Sequence, residues 1–309
     1  MPRLLIPPWS RRLGWPAAPA LALILSASVV SLGQPRPTSP ARPSSLVARE
    51  WRFADGELGP MRAVVMTPRG LPSGVRLPLL IALHGLGESL RGVAAGAWGW
   101  ARDYELGASE RALRASPLSR EAFLGYVTEP RFRRLRADLA ARPYAGLVVV
   151  APYTPNVMDD PARADAFSRW LASTLLPRAR AELPVLSGRE HTGVDGVSLG
   201  GLLALEVGFS QPGEFGVVGA LQPAVRGRVE RVLARRRAGA PSQRIRLLTT
   251  SRDFLRPDVF ALHRAMTSRR IAHDFVDVSG PHDYPFNRGA GGIEMLLFHD
   301  RALRGMPAE

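Results

Sequence analysis

Short, nearly continuous apolar runs recur along this chain, at Leu77–Leu83, Gly146–Ala151, the few residues after Thr192 and Gly216–Leu221, and further strands are read at Arg244–Thr250 and Ala272–Val278. A run that does not alternate with polar residues marks a strand covered on both faces. Between these runs the apolar positions change to helical spacing. Ala166, Phe167, Trp170, Leu171 and Leu175 predict a helix over Pro161–Glu182, and further helices are expected at Leu202–Phe209, Val225–Arg237, Pro257–Arg270 and Ile293–Arg304. Strands alternating with helices predict an α/β fold, a mainly parallel central sheet with helices on both faces. Ahead of it, Trp51–Thr67 alternates as one or two early strands, and Pro68–Gly74 reads as a turn. Only Gly92–Pro143 breaks the pattern. It has no clean period and many arginines, with short helices near Glu110–Ala115 and Arg131–Ala141, and is expected as an insertion over the sheet edge or the site.

The amino terminus follows a different pattern. Residues 1–33 carry Arg3, Arg11 and Arg12, then an apolar stretch from Leu21 to Leu32, the layout of an export signal. Ser10-Arg11-Arg12-Leu13 is similar to a twin-arginine signal. The apolar stretch is shorter than the roughly 20 residues that span a bilayer, so cleavage near Ala27–Gln34 is expected over retention as an anchor. An exported, periplasmic or extracellular protein follows, touching a membrane only through this segment if it stays uncleaved. Residues 34–45, rich in Pro and Ser, read as an extended linker, and 46–309 as one α/β domain.

Composition narrows the chemistry. The chain has no cysteine, which excludes disulfides, thiolate catalysis and cysteine-ligated metals. Its formal charge of +14 would ordinarily suggest nucleic acid. The basic residues are all arginine, however, and they are scattered. The runs at Arg131–Arg136 and Arg235–Arg237 lack the interleaved aromatics of a base-stacking surface. No nucleic-acid partner is expected, and nothing in the sequence indicates an oligomeric state.

The candidate chemistry centres on Gly196-Val197-Ser198-Leu199-Gly200, followed by Gly201, in a strand-turn-helix context. This is the G-x-S-x-G nucleophile elbow, which pushes a serine hydroxyl out at the carboxyl end of a sheet, before the positive end of a helix. A serine hydroxyl needs a base, and the base an orienting acid. Asp253 lies three residues past the strand ending near Thr250, and His282 lies just past the strand ending near Val278, in Ser279-Gly280-Pro281-His282-Asp283-Tyr284. The rivals fit less well: Asp258 is in a first helical turn, Asp274 and Asp277 are within a strand, and His263, His273 and His299 are in regular elements. His191 precedes the elbow strand. Upstream, His84-Gly85-Leu86-Gly87-Glu88 follows a buried strand, where a glycine-rich loop can turn backbone N–H groups toward an oxyanion.

With these motifs the chain resembles the α/β-hydrolase superfamily. Within it, the chain is similar to the esterases of the esterase D, enterochelin esterase and polyhydroxybutyrate depolymerase type, from about Leu77 to the end of the last helix. His84-Gly85-Leu86-Gly87 is also similar to the acyl-protein thioesterase and carboxylesterase group. The resemblance implies Ser198 as nucleophile, Asp253 as acid, His282 as base, and the N–H groups of Leu86 and Leu199 as the oxyanion hole. It further implies that His84, Gly85 and Gly87 line the site, that no cofactor or metal is needed, and that the substrate is a small or polymeric ester. Acyl transfer or peptide cleavage by the same residues, or a noncatalytic binding role on this fold, are the alternatives. Two segments depart from the family pattern, Gly92–Pro143 and Leu221-Gln222-Pro223.

Overall fold

The computed structural model describes residues 45–307 apart from Asp55. The expected export signal at 1–33, and all of the 34–45 linker but Ser45, lie outside the described residues.

Eight strands form one sheet: β1 (Leu46–Phe53), β2 (Met61–Pro68), β3 (Leu79–Leu83), β4 (Val148–Pro152), β5 (Thr192–Gly196), β6 (Val217–Leu221), β7 (Arg244–Arg252) and β8 (Asp274–Pro281). Their order is β1-β2-β4-β3-β5-β6-β7-β8. β2 is antiparallel to β1 and β4, and every other pair is parallel. From β3 the chain steps outward to β4, then returns to lay β5 on the other side of β3. That reversal leaves a crevice beyond the carboxyl ends of β3 and β5, where ligands bind in open α/β sheets. The loop His84–Glu88 and the elbow at Ser198 are the segments that leave those two ends.

Both faces of the sheet are covered. Within the apolar runs alternate residues go to opposite sides, so Ala63, Val65, Leu79, Ile81 and Leu83 join one core and Val64, Met66, Leu80 and Ala82 the other. The first core takes the helices Pro161–Trp170, Leu199–Ser210 and Arg256–Ser268, through Phe167, Leu203, Val259 and Leu262. The second takes Gly292–Ala302 and most of the segment 92–143.

The segment 92–143, expected as an insertion over the sheet edge or the site, packs on this second face. Trp100, Leu106, Leu113, Phe123 and Leu135 are buried against Ile293, Leu296 and Leu297, so the segment 92–143 forms half of one face of the domain. Its period was hidden because the path is cut into short pieces, including helices at Leu106–Arg114 and Glu129–Ala141 and a π-turn at Gly99–Asp103. The helix expected at Val225–Arg237 spans only Val229–Ala234, starting after Gly227 turns the chain at φ +67°. The long helix expected at Pro161–Glu182 contains a π-turn at Leu171–Leu175 ahead of Pro177, which removes an N–H from the regular ladder.

Candidate active site

Ser198 sits at the tip of the turn between β5 and the helix Leu199–Ser210, with φ +58° and ψ −115°. A non-glycine residue holds such angles only when its surroundings over-determine them, at a cost on the order of 1–3 kcal/mol. Here the backbone does so: the Ser198 N–H donates to Leu221 O (3.0 Å), and its carbonyl accepts from Leu202 N (3.0 Å) and Ala224 N (2.9 Å). The glycines make the turn possible. A Cβ on Gly200 would fall 2.2 Å from Leu83 O, and one on Gly196 would fall 2.5 Å from Gly200 O, so any side chain would push strand and helix apart. The Ser198 hydroxyl makes no capping bond to its own helix, and the residue is partly exposed.

Asp253 and His282 follow β7 and β8 directly. Both strands run slightly past their expected ends, so both residues emerge at the same rim of the sheet as Ser198. His282 Nδ1 lies 2.9 Å from Asp253 Oδ1. The carboxylate side chain is fully buried and the imidazole is 14% exposed. Asp253 is itself held: Oδ1 accepts from Leu255 N (2.8 Å), and Oδ2 from the Thr249 hydroxyl (3.3 Å). A buried carboxylate on Nδ1 selects the tautomer with that nitrogen protonated, leaving Nε2 as the basic lone pair. Phe254 packs on the His282 ring at 4.7 Å between centroids and is 63% exposed, so it shields one face of the imidazole.

Leu86 and Leu199 are the first residues of their helices, and neither N–H has an acceptor among the described residues. Free amides at helix amino termini beyond the carboxyl ends of β3 and β5 are the kind of donor that an anionic oxygen accepts from.

His84 lines this region from beneath. It is buried, accepts a hydrogen bond at Nε2 from Thr154 N (2.8 Å) and contacts Gly85 O through Nδ1 (3.0 Å). The imidazole is therefore neutral with its proton on Nδ1, and burial pushes its pKa down to about 4. It ties the loop after β3 to the one after β4, and has no nitrogen left for catalysis. Gly85 is buried and Gly87 exposed, and each lies beside an aromatic hydroxyl: Cβ atoms there would lie 3.1 Å from the Tyr104 oxygen and 2.9 Å from the Tyr284 oxygen.

The rivals are engaged elsewhere. Asp258 pairs with Arg226 (3.0 Å) and Asp277 with Arg256. His263 Nδ1 and His273 Nε2 meet at 2.8 Å, and His191 contacts Leu303 O. His299 is fully buried beside Asp195. Among the described residues no three His, Asp or Glu side chains converge as metal ligands would.

Sequence reasoning missed several residues that shape the site. Gln222 in the atypical Leu221-Gln222-Pro223 turn is buried at φ +48°. Its amide donates to Thr250 Oγ1 and Pro281 O, both at 2.8 Å, and so braces the peptide just before His282. Glu88 and Tyr104, both buried, form a polar cluster with the partly exposed Tyr284 beside the loop after β3. An unusual non-glycine turn at Gln222 was the one available signal, since the others contact only across long sequence separations.

Residues 142–273 match the family model described as "Putative esterase", a span that contains Ser198 and Asp253 and ends before His282. A solved ferulic acid esterase is similar with a TM-score of 0.61 at 15% identity, over 84% of this chain and 99% of that one. S-formylglutathione hydrolase (FrmB) of Staphylococcus aureus is similar with a TM-score of 0.56 at 14% identity, over 84% and 98%. The enterobactin esterase FES of Shigella flexneri is similar with a TM-score of 0.52 at 20% identity, over 82% of this chain and 59% of that one. No curated protein sequence matches the chain.

Proposed function

We propose that this chain, which matches an esterase family model over residues 142–273 and shares its fold with solved esterases, is an exported serine hydrolase cleaving carboxylic esters through an acyl-enzyme on Ser198. The observation that carries the reading is the Asp253–His282 pair at the rim where Ser198 leaves its strained turn. In this mechanism His282 Nε2 takes the proton of Ser198 Oγ as that oxygen bonds to the acyl carbon. Asp253 keeps Nδ1 protonated and stabilises the imidazolium that forms. The N–H groups of Leu86 and Leu199 receive the tetrahedral oxyanion; one such donor is typically worth about 3 kcal/mol of barrier. The C–O bond to the alcohol then breaks, and the imidazolium returns its proton to the departing oxygen. Water, deprotonated by His282, attacks the acyl carbon and releases the acid with Ser198 restored.

The activity is tested with the purified mature protein and a panel of p-nitrophenyl esters of increasing acyl length. Hydrolysis by the parent, with loss of several orders of magnitude in folded Ser198→Ala, supports the reading; an equally active Ser198→Ala overturns it. Export rests on the charged start and apolar core of residues 1–33. Amino-terminal sequencing of the protein from its native host should find a start between Ala27 and Ser45, and an intact Met1 on soluble cytoplasmic protein would refute export.

A further inference from the structure

Glu88 is 1% exposed, the third residue of the short helix that begins with Leu86, and none of the roles assigned above uses it. A buried carboxylate needs donors for its oxygens, and two come from distant segments. Tyr104, next to the π-turn Gly99–Asp103, donates its hydroxyl to Oε2 at 2.5 Å and accepts the Gly85 N–H at 3.3 Å. Tyr284, two residues after His282, donates to Oε1. The two phenol rings stack at 5.5 Å, and Arg91 approaches Oε1 to 3.5 Å from the solvent side. Burial, with the Glu88 charge adding to it, raises both phenols above their ordinary pKa, so both hydroxyls keep the protons they donate. The cluster lies against the elbow: a Cβ on Gly85 would sit 3.3 Å from Glu88 Oε2 and 3.7 Å from Val197 O, the carbonyl preceding Ser198.

We propose that Glu88 is a positioning residue, a carboxylate clamp that sets the oxyanion loop through Tyr104 and the His282 turn through Tyr284. It rests on the esterase reading and adds to it the means by which two catalytic loops on separate strands are held in register. Neither loop is held by the sheet beyond its strand end, and hydrogen bonds to a charged acceptor are the stronger kind. A small displacement of a positioned group can cost as much as about a hundredfold in rate.

The two arms of the clamp have different chemical consequences. The His282 turn governs protonation of the leaving alcohol, which an alkoxide requires and a p-nitrophenolate does not. The oxyanion loop stabilises charge on the acyl oxygen whatever the leaving group. The test measures kcat and KM of the parent, Tyr284→Phe, Tyr104→Phe, Glu88→Gln and the Glu88→Gln/Tyr284→Phe pair on an ethyl ester and a p-nitrophenyl ester of the same acid. Tyr284→Phe should lower kcat about tenfold more on the ethyl ester than on the aryl ester, and Tyr104→Phe should lower both equally. Glu88→Gln should lower kcat on both with KM little changed, and adding Tyr284→Phe to it should cost little more. Where Glu88→Gln does not fold, Tyr284→Phe carries the test alone, since it removes one oxygen from a partly exposed ring. Parental kcat in folded variants of an active parent, or losses in Tyr284→Phe independent of leaving group, would overturn the clamp. A parent inactive on both esters would overturn the esterase reading, and the clamp's role with it.

Discussion

Two aspartate–histidine pairs stand in this one sheet, with nearly the same bond between them. Asp253 meets His282 at 2.9 Å, and Asp195 meets His299 at 3.0 Å. In the first pair the aspartate follows the end of β7, the histidine uses Nδ1, and the imidazole is partly exposed at the rim. In the second the aspartate is inside β5, the histidine uses Nε2, and both side chains are 0% exposed. His299 Nδ1 has no partner and points at the bare Cα of Gly193, where a Cβ would come within 2.5 Å. Asp195 also accepts the Gly196 N–H at 2.7 Å and faces Arg246, which donates to Glu294 O at 2.9 Å. The same two residue types thus make a partly exposed rim pair in one place and an internal brace in the other. Strand position and ring nitrogen decide which.

Substitution should separate the two pairs most sharply. His282→Ala is expected to lower ester turnover by about 10⁴ or more with a melting temperature near the parent's. His299→Ala is expected to leave turnover per folded molecule near parental and to lower stability by about 3 kcal/mol, because it opens a cavity and strips Asp195 of its donor. Steady-state kinetics beside thermal melts would read both. If His299→Ala were catalytically dead yet stable, the division between base and brace would be wrong.

A smaller contrast lies between neighbouring acids. Asp253→Asn should lower kcat by as much as about 10⁴, because an amide on Nδ1 no longer enforces the tautomer that leaves Nε2 basic. Asp258→Asn, which loses only its surface pair with Arg226, should leave kcat unchanged and move stability by less than about 1 kcal/mol. The reverse ranking would move the acid's role from Asp253 to Asp258.

Another expected effect is on pH-dependent stability, through the buried imidazole of His84. Folding lowers the His84 pKa from 6.5 to about 4. Above pH 6.5 neither folded nor unfolded chain protonates it, and its neutral hydrogen bonds contribute in full. As pH falls below 6.5 the unfolded chain gains a proton that the folded one cannot, so stability declines until about pH 4, by about 3 kcal/mol in total. Urea unfolding between pH 7 and pH 4 should show this slope, and His84→Asn should flatten it. His299, whose pKa is also lowered by burial, adds a loss of the same sign, so the His84 share is the difference between parent and variant. An unchanged slope in the variant would place the titration elsewhere.

The fold was legible because a fully covered parallel sheet writes itself as apolar runs, and the elbow because its glycines answer a steric demand within five residues. The shared rim position of Asp253 and His282 was legible because each directly follows a strand. The brace was hidden: Asp195 lies in a run read as apolar, and its partner is 104 residues away. Glu88 and Tyr284 are 196 residues apart, so no local pattern could join them. The helices of the segment 92–143 were hard to read because short helices joined by turns carry core residues without a lasting period, as Trp100, Phe123 and Leu135 do.

The central claim is that Ser198 is the nucleophile which the rim pair activates. Its most direct measurement is intact-mass and peptide-mapped detection of a fluorophosphonate adduct on the parent, Ser198→Ala and His282→Ala proteins. One adduct on the Ser198 peptide of the parent, none on Ser198→Ala and only slow labelling of His282→Ala is the expected result. An adduct on any other residue, or undiminished labelling of Ser198→Ala, would contradict it.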